Sequence, residues 1–444
     1  MKKLIMKVNK KGKSQKLWQT AKRMIPGGSQ LLSKRAEMFL PDGWPAYYKK
    51  AKGIEITDLD GRKYLDFSLM GVGACVLGYA DPDVNRAVRK AVDDGSMSTL
   101  NCSEEVELAH EMLKLNPWAG GVRYGRTGGE GVAIAVRIAR AYSGKDKVAF
   151  CGYHGWHDWY LSSNLSSDKN LDGHLIKGLE PSGVPRSLRD TAFPFRYNHF
   201  EELESILEKH DIGVIVMEPI RHQEPMNGFL NKVREITDRK KIVLIFDEVS
   251  AGFRLRLGGS HELFKVEPDI AVYAKALGNG YPIAAIVGRK EVMEAAQKSF
   301  ISSTYWTEKI GPTAALAVIK KMKAKKVPQH LERIGAMIGK GWKELAAKHG
   351  IALKIEGPNC LITLSFDDKN ANELKTLFIQ EMLDRGFLAT TSVYVSYAHT
   401  EMHVKKYLSA VDEVFTVIKK ALNENNVVKY LRGPVAHTGF NRLT

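Results

Sequence analysis

The residues of this chain that could do chemistry lie at the ends of short apolar segments. His154 follows one such segment, Glu218 and Asp247 end two more, and Lys275 follows a fourth. Apolar runs of four to six residues predict buried strands, and the amphipathic stretch 199–210 between two of them predicts a helix. This alternation predicts an α/β domain with a mainly parallel sheet. Ligands of such sheets bind beyond the carboxyl ends of the strands, where these four residues are expected.

Lys275 lies among small residues in the stretch "DIAVYAKALGNGYPIAAIVG". A lysine in a pocket of low dielectric constant has a lowered pKa, so part of it is free amine that can form a Schiff base. Asp247 ends the preceding predicted strand and is buried there. Its carboxylate could hold a pyridine nitrogen protonated, which makes the ring an electron sink.

A planar phosphorylated cofactor also requires a phosphate site and a surface for its ring. A glycine-rich turn and an aromatic cluster could supply them. Thr127, Gly128 and Gly129 precede a strong helical pattern, and such a helix start offers backbone N–H groups and the positive end of the dipole to a phosphate. The stretch "GYHGWHDWY" offers Tyr153 or Trp156 as a plate for a planar ring. With the lysine and the carboxylate, these features match the needs of pyridoxal 5'-phosphate (PLP).

Two other kinds of site fit the sequence less well. The run "VLIFDE" resembles the Walker B strand of a nucleotide hydrolase, but the chain has no G-x-x-x-x-G-K-[ST], and "GGSQLLSKR" lacks the second glycine. His154, His157 and Asp158 give the spacing H-x-x-H-D, which lacks the helical i, i+4 geometry and further ligands of a metal centre. No metal is therefore expected.

Composition limits the class of protein and its partners. The formal charge is +16 without an arginine-rich tract or a nucleic-acid module, so small anionic ligands are expected rather than nucleic acid. No run approaches the eighteen apolar residues of a membrane span. The four cysteines lie far apart with no C-x-x-C spacing, which favours a reducing, cytoplasmic location.

The chain is expected to divide at residues 80/81, 324/325 and 422/423. Residues 1–80 contain a hairpin pattern, residues 81–324 form the large cofactor-binding domain, and residues 325–422 begin a new unit with a long helix. The two chain ends are expected to form one smaller α+β domain. Residues 423–444 have no helical period, and we expect them to run over the surface or over a neighbouring subunit.

An ordered set of motifs carries a family resemblance over roughly residues 25 to 420. The motifs are "IPGG", "GIEITDLDGRKYLDF", "RTGGEGVAIAVRIAR", "YHGWHD", "VIVMEP", "IFDEVSAGFR", "AKALGNGYPIAAIVGR" and "YAHT". In these the chain resembles the class III (ω-type) PLP-dependent aminotransferases, and most of all the glutamate-1-semialdehyde 2,1-aminomutase group. The resemblance implies the PLP-dependent transferase fold type I, with PLP as cofactor. It also implies a homodimer with active sites at the subunit interface.

The resemblance assigns roles to individual residues. Lys275 falls at the Schiff-base lysine and Asp247 at the partner of the pyridinium nitrogen, and these two are the expected catalytic residues. The residues expected around the cofactor are the phosphate turn Thr127, Gly128 and Gly129, the stacking residue Tyr153, Val249 on the opposite face of the ring, Glu218, Gln223 near the ring hydroxyl, and Thr307, which would reach the phosphate of the partner subunit.

Departures from the family pattern point to the substrate. The phosphate turn reads T-G-G rather than S-G-T, and "TEKIGP" lacks the asparagine of T-x-x-G-N-P. The mutases hold the substrate carboxylate with an arginine, where this chain offers Lys34 or Arg35. Thr391 stands at the mutase glutamate, and Arg221 and His222 stand where the family is small and apolar. These five residues are the expected substrate contacts.

The resemblance and these departures predict a PLP-dependent aminotransferase that moves an amino group to an aldehyde or ketone through a Lys275 Schiff base. We expect a small-molecule amino donor and a carbonyl acceptor, the acceptor bearing an anionic group of its own or being sugar-like. The alternative is a 2,1-aminomutase acting on a single substrate. A non-catalytic PLP-fold binder is a third reading, and the intact Lys275 and Asp247 count against it.

Overall fold

A computed structural model describes residues 12–220 and 222–440, which form two compact units. The central unit spans Pro82–Pro328, and the terminal unit combines residues 12–81 with residues 329–440. The strands, numbered in chain order, are β1 Tyr48–Lys52, β2 Glu55–Asp58, β3 Lys63–Phe67, β4 Gly121–Gly125, β5 Lys147–Cys151, β6 Ala192–Pro194, β7 Ile212–Met217, β8 Val243–Asp247, β9 Ile270–Tyr273, β10 Ala284–Gly288, β11 Leu353–Glu356, β12 Leu361–Phe366, β13 Phe387–Ala389 and β14 Ser392–Tyr394. The helices are α1 Lys13–Met24, α2 Pro82–Asp93, α3 Ser103–Leu115, α4 Gly128–Ser143, α5 Asp158–Leu161, α6 Phe200–Lys209, α7 Phe229–Lys240, α8 Lys290–Met293, α9 Ile310–Lys325, α10 Val327–His349, α11 Ala371–Asp384 and α12 Glu401–Asn423.

The central unit is built on a seven-stranded sheet with the order β4-β10-β9-β8-β7-β5-β6. Strands β9, β8, β7, β5 and β6 are parallel to one another, and β10 is antiparallel to both of its neighbours. The predicted α/β fold with a mainly parallel sheet is confirmed. All residues of β7, β8 and β9 are buried, which explains their nearly continuous apolar sequences.

Helices cover both faces of this sheet because its side chains alternate between two apolar clusters. Val148, Val214 and Val243 point to the face covered by α4, while Ile215 and Leu244 join the cluster that contains residues of α6 and α7. The carboxyl ends of the parallel strands therefore lie between two packed layers. This packing holds the residues after the strand ends in fixed positions.

The terminal unit contains two smaller sheets with the orders β1-β2-β3-β13 and β11-β12-β14. The predicted hairpin is the antiparallel pair β2–β3, and β13 from the other end of the chain joins β3 in parallel. Chain segments more than three hundred residues apart thus share one sheet. No helix in the described part of the chain is long and apolar enough to cross a membrane.

The C-terminal strap, which we define as residues 427–440, packs along α11 of its own unit. Its backbone is bound by side chains of that helix: Asn372 donates to the Ala436 carbonyl at 2.8 Å, and Gln380 donates to the Tyr430 carbonyl at 2.9 Å. Arg432 Nη2 lies 2.8 Å from Asp384 Oδ2 at the end of the helix. The strap therefore lies on its own unit without helical periodicity, apart from a short turn at Val428–Tyr430.

Candidate active site

Asp247 is the last residue of β8, and its carboxylate is held from two sides. Oδ1 accepts the backbone N–H of Val249 at 3.0 Å, and Oδ2 lies 2.8 Å from Nδ1 of His154. Nε2 of the same imidazole lies 3.0 Å from the Cys151 carbonyl oxygen. Both ring nitrogens thus lie within hydrogen-bond distance of an oxygen, and the ring holds the carboxylate in a fixed orientation. Asp247 and His154 are both buried.

Lys275 follows β9, the strand that pairs with β8, and begins a short 3-10 turn that ends at Gly278. Its φ is +44°, a left-handed conformation that costs a residue with a Cβ about 1–2 kcal/mol. Nζ donates to Ser250 Oγ at 2.8 Å. A strained lysine with a neutral hydroxyl at its tip is a feature typical of functional sites.

The turn Thr127-Gly128-Gly129 begins α4 with a capping box. The Thr127 hydroxyl accepts the Glu130 N–H, and the Glu130 carboxylate accepts the backbone N–H of Thr127 at 3.2 Å and that of Arg126 at 2.6 Å. The N–H groups of Gly128 and Gly129 lie at the positive end of a sixteen-residue helix. This arrangement fits a phosphate group.

Close packing explains the first glycine of the turn. A Cβ on Gly128 would lie 2.7 Å from Val249 Cγ1, and a Cβ on Gly129 would lie 3.4 Å from the Gly155 Cα. The first separation is shorter than real Cβ contacts allow. Val249 is buried and belongs to the same apolar cluster that Tyr153 packs against. The turn, the valine and the aromatic residue therefore border one region at the carboxyl ends of β4, β8 and β5.

Tyr153, Glu218 and Gln223 border a cavity of about 500 Å³ beside this region. Tyr153 is half-buried, with its ring edge-on to that of Tyr160 at a centroid distance of 5.9 Å. Glu218 is buried after the end of β7. Burial of the Cys151 thiol, and to a lesser extent the nearby Glu218, raises the pKa of Cys151. His222 and Gln223 are exposed on the loop that follows, and Arg221 lies outside the described residues.

Thr307 is exposed at the end of a 3-10 turn, where its hydroxyl donates to the Thr304 carbonyl at 2.8 Å. The next residue, Glu308, is tied to the phosphate turn, because Arg126 Nε lies 3.0 Å from its carboxylate and Arg126 Nη2 donates to its carbonyl at 3.1 Å. Thr307 and the glycine-rich turn thus lie near each other on the central unit.

The other expected substrate contacts belong to the terminal unit. Lys34 is exposed at the end of a 3-10 turn, and Thr391 is half-buried, its carbonyl accepting the Leu364 N–H at 2.8 Å. The Arg35 guanidinium lies over the ring of Phe440 at 5.5 Å and against Gly27, where a Cβ would be 2.3 Å from Nη2. The roles of these three residues stay predictions.

Sequence reasoning placed His154 at a strand end without giving it a role, and it did not single out Ser250, Glu130 or His174. The structure gives each a hydrogen bond to a site residue or to the backbone beside one. Of these four residues, only His154 could have been noticed in the sequence, because it is a polar residue among apolar ones. Taken together, the carboxylate, lysine, glycine turn and aromatic residue of the central unit suit a planar phosphorylated aldehyde.

The chain belongs to the class III aminotransferase family, whose model matches residues 41–422. It is therefore a PLP-dependent enzyme with the fold type I architecture. It is 31% identical to 3-aminobutyryl-CoA aminotransferase of Cloacimonas acidaminovorans, over 93% of this chain and 99% of that protein. It is 30% identical to glutamate-1-semialdehyde 2,1-aminomutase of Methanothermobacter thermautotrophicus, over 92% of this chain and all of the other. Among solved structures, FumI protein of Sphingopyxis sp. MTA144 matches with a TM-score of 0.84 at 24% identity, over 92% of this chain and 97% of that one.

Proposed function

We propose that Lys275 and Asp247 are the catalytic residues and that the chain transfers an amino group from a donor to a separate aldehyde or ketone acceptor. The observation that carries this proposal is the buried His154–Asp247 pair at the end of β8, one strand away from the strained Lys275. When bound, PLP supplies an aldehyde carbon and an electron-withdrawing pyridine ring. The residues of the chain bind it, orient it and move protons.

Each site residue has a physical task in this proposal. Asp247 would hold a proton on the ring nitrogen, and His154 would orient the carboxylate through the contact between Nδ1 and Oδ2. Lys275 Nζ would hold the cofactor through its aldehyde carbon, and as a free amine it would carry a proton to and from the substrate carbon. Ser250 Oγ, 2.8 Å from Nζ, keeps the amine in place without neutralising it by charge.

The remaining cofactor contacts follow the same geometry. We assign Thr127, Gly128 and Gly129 to the phosphate, Tyr153 and Val249 to the two faces of the ring, and Glu218 and Gln223 to the ring hydroxyl side. Borohydride reduction tests the central assignment. PLP-loaded wild-type protein should be labelled irreversibly at Lys275 in a peptide map, and Lys275→Ala should not be labelled. A label on another residue in the wild type contradicts the proposal.

Donor and acceptor chemistry separates the two enzyme readings. An aminotransferase given an amino donor alone releases one equivalent of keto product and stops with its cofactor aminated. A 2,1-aminomutase completes turnover on glutamate-1-semialdehyde without a co-product. We propose the aminotransferase because Thr391 replaces the glutamate that the mutases carry, and because Lys34 and Arg35 replace a single arginine. Turnover of glutamate-1-semialdehyde without release of a keto compound would favour the mutase.

We further propose that the acceptor carries an anionic group bound by Lys34, in keeping with the +16 formal charge of the chain. Arg35 is the alternative, although its guanidinium already stacks on Phe440. Lys34→Gln should then raise the KM of an anionic acceptor about ten-fold while kcat changes little. We also propose a cytoplasmic location, because none of the four cysteines forms a disulfide.

A homodimer with shared active sites is the final part of the proposal. Leu100, Phe300 and Tyr305 are large, apolar and more than two-thirds exposed, and the hydrogen bond from Lys309 N–H to the Ser96 carbonyl brings their two segments close together. Such a patch suits an interface between copies of the chain. Sedimentation should show a dimer for the wild type and a shift towards monomer for Phe300→Glu. A monomeric wild type would contradict the proposed homodimer but not the proposed aminotransferase activity.

A further inference from the structure

The cavity of about 500 Å³ in the central unit is larger than a three- or four-carbon amino acid needs. It shares Tyr153, Glu218 and Gln223 with the proposed cofactor contacts, whereas Asp247, Lys275 and the glycine-rich turn do not line it. Its other walls come from the end of β5 and from residues 173–175, 196–197, 199 and 222. The cavity therefore extends the proposed cofactor site away from Asp247 and Lys275.

His174 gives this cavity a fixed neutral donor. Its Nδ1 accepts the backbone N–H of Gly152 at 3.1 Å, so the hydrogen of the ring lies on Nε2. Burial, helped by the nearby His154, lowers the pKa of His174 to about 4, which keeps the ring neutral at physiological pH. Within the described part of the chain, Nε2 has no hydrogen-bond partner, so its N–H remains for a ligand.

Two basic residues of the wall, Arg196 and His199, are paired with carboxylates. Arg196 Nε donates to Glu202 Oε1 at 2.6 Å, and its backbone N–H donates to Oε2 of the same residue at 2.8 Å. His199 Nδ1 lies 2.9 Å from Glu201 Oε1. Glu218 adds a further carboxyl group to the wall. An anionic substituent would thus meet no uncompensated positive charge among these residues.

Hydrogen bonds also fix the loops that form the wall of the cavity. Asn198 Nδ2 donates to the Glu224 carbonyl at 3.0 Å, and its Oδ1 accepts the Met226 N–H at 2.9 Å, which joins the two loops of the cavity. The Tyr197 hydroxyl donates to the Pro219 carbonyl. His174 Nε2–H is a fixed donor in this wall, and it favours a ligand with a hydroxyl oxygen, because a ligand without an acceptor there leaves the donor unpaired.

We propose that this cavity binds a neutral, hydroxyl-bearing chain of the substrate, with His174 Nε2–H as a donor to one of its oxygens. The proposal deepens the aminotransferase function proposed above and rests on it for the position of the reacting carbon. His174 and the balanced wall would thus determine specificity without taking part in proton transfer.

Three six-carbon amines test the proposal on PLP-loaded protein: glucamine, hexylamine and 6-aminohexanoate. Cofactor absorbance follows the reaction with each amine. The single-turnover rate constant divided by the dissociation constant should be at least ten-fold higher for glucamine than for hexylamine or 6-aminohexanoate. His174→Leu should lower this ratio about ten-fold for glucamine and leave it unchanged for hexylamine. His174→Gln, which keeps an amide donor, should recover part of the loss, and His110→Leu on exposed α3 is the matched control. Equal losses for all three amines, or a preference for hexylamine or 6-aminohexanoate, overturn the proposal.

A second measurement does not depend on cofactor chemistry. Saturation-transfer NMR of cofactor-free protein should show binding of glucitol but not of hexanol, and His174→Leu should abolish the glucitol signal. Absence of that signal from the wild type overturns the cavity proposal even if amines react. A third outcome combines a glucitol signal that depends on His174 with bound PLP that no amine converts. That outcome overturns the proposed aminotransferase and leaves the cavity assignment standing.

Discussion

His154 Nδ1 lies 2.8 Å from Asp247 Oδ2, and the two residues are ninety-three positions apart in the chain. The pair is buried at the carboxyl ends of β5 and β8. Nε2 of the same ring lies 3.0 Å from the Cys151 carbonyl oxygen, so the ring is held at both of its nitrogens. His154 is thus a positioning residue that keeps the Asp247 carboxylate in orientation for its proposed task.

His154→Leu should therefore weaken PLP binding by about ten- to a hundred-fold, since a hydrogen bond to a buried charged group contributes about 1.5–3 kcal/mol. The measurement is the dissociation constant of PLP, from absorbance titration of cofactor-free protein. His154→Gln, which can still donate to Asp247, should lose less. An unchanged constant for His154→Leu contradicts the role given to the pair.

Gly128→Ala should also impair PLP binding, for a steric reason. The added Cβ would lie 2.7 Å from Val249 Cγ1, so the turn or the valine must move. We expect the PLP dissociation constant to rise at least ten-fold, a loss of about 1.4 kcal/mol. Val249→Ala in the same protein removes the clash and should recover part of the affinity, although it also removes the proposed contact of Val249 with the ring. If the double variant recovers no affinity for PLP, the clash with Val249 is not the cause of the loss.

The left-handed backbone at Lys275 predicts a difference in stability between two variants at this position. Glycine adopts a φ of +44° without strain, whereas alanine carries the full Cβ penalty. Lys275→Gly should therefore be about 1 kcal/mol more stable than Lys275→Ala in urea unfolding of cofactor-free protein. Both variants lose the same side chain, so the comparison isolates the backbone. Equal midpoints would mean that the strain is relieved in solution.

The C-terminal strap should stabilise the terminal unit chiefly through Arg432. Its guanidinium lies 2.8 Å from Asp384, whose side chain is 3% exposed. Arg432→Gln should lower the free energy of unfolding by about 1–3 kcal/mol, because it removes the charged partner of a buried carboxylate. Lys429→Gln is the matched control, since its ion pair with Glu424 is exposed and contributes at most about 1 kcal/mol. Similar losses in both variants would contradict this account.

His399 predicts how stability depends on pH. It is fully buried between the Ser396 N–H and the Asp66 carbonyl, and burial lowers its pKa to about 4. The unfolded chain binds a proton near pH 6.5 and the folded chain does not, so stability is full above that pH and falls as pH drops from 6.5 towards 4. The loss attributable to His399 reaches the order of 3 kcal/mol.

Urea unfolding at pH 7 and pH 5 measures this dependence. His399→Gln should lose stability at both values but show a smaller difference between them than the wild type. His110→Gln, at an exposed position of α3, should leave the wild-type difference unchanged. A His399 variant with the full wild-type difference would assign the pH dependence to other groups.

The sequence by itself determined the strands of the central sheet and the residues that end them. Each buried strand is a short apolar run, and burial on both faces of a parallel sheet requires such a run, so β5, β7, β8 and β9 could be located from local pattern. Asp247 and Lys275 end or follow two of these runs. Their chemistry could therefore be predicted before their distances were known.

The tertiary structure decided what local pattern does not contain. The order β4-β10-β9-β8 inserts an antiparallel strand from residues 284–288 beside one from residues 121–125, and that pairing depends on contacts far apart in sequence. The His154–Asp247 pair, the neutral tautomer of His174 and the course of the strap along α11 depend on such contacts as well. A side chain acquires its hydrogen-bond partner only when packing fixes its direction, and no periodicity of the sequence encodes that direction.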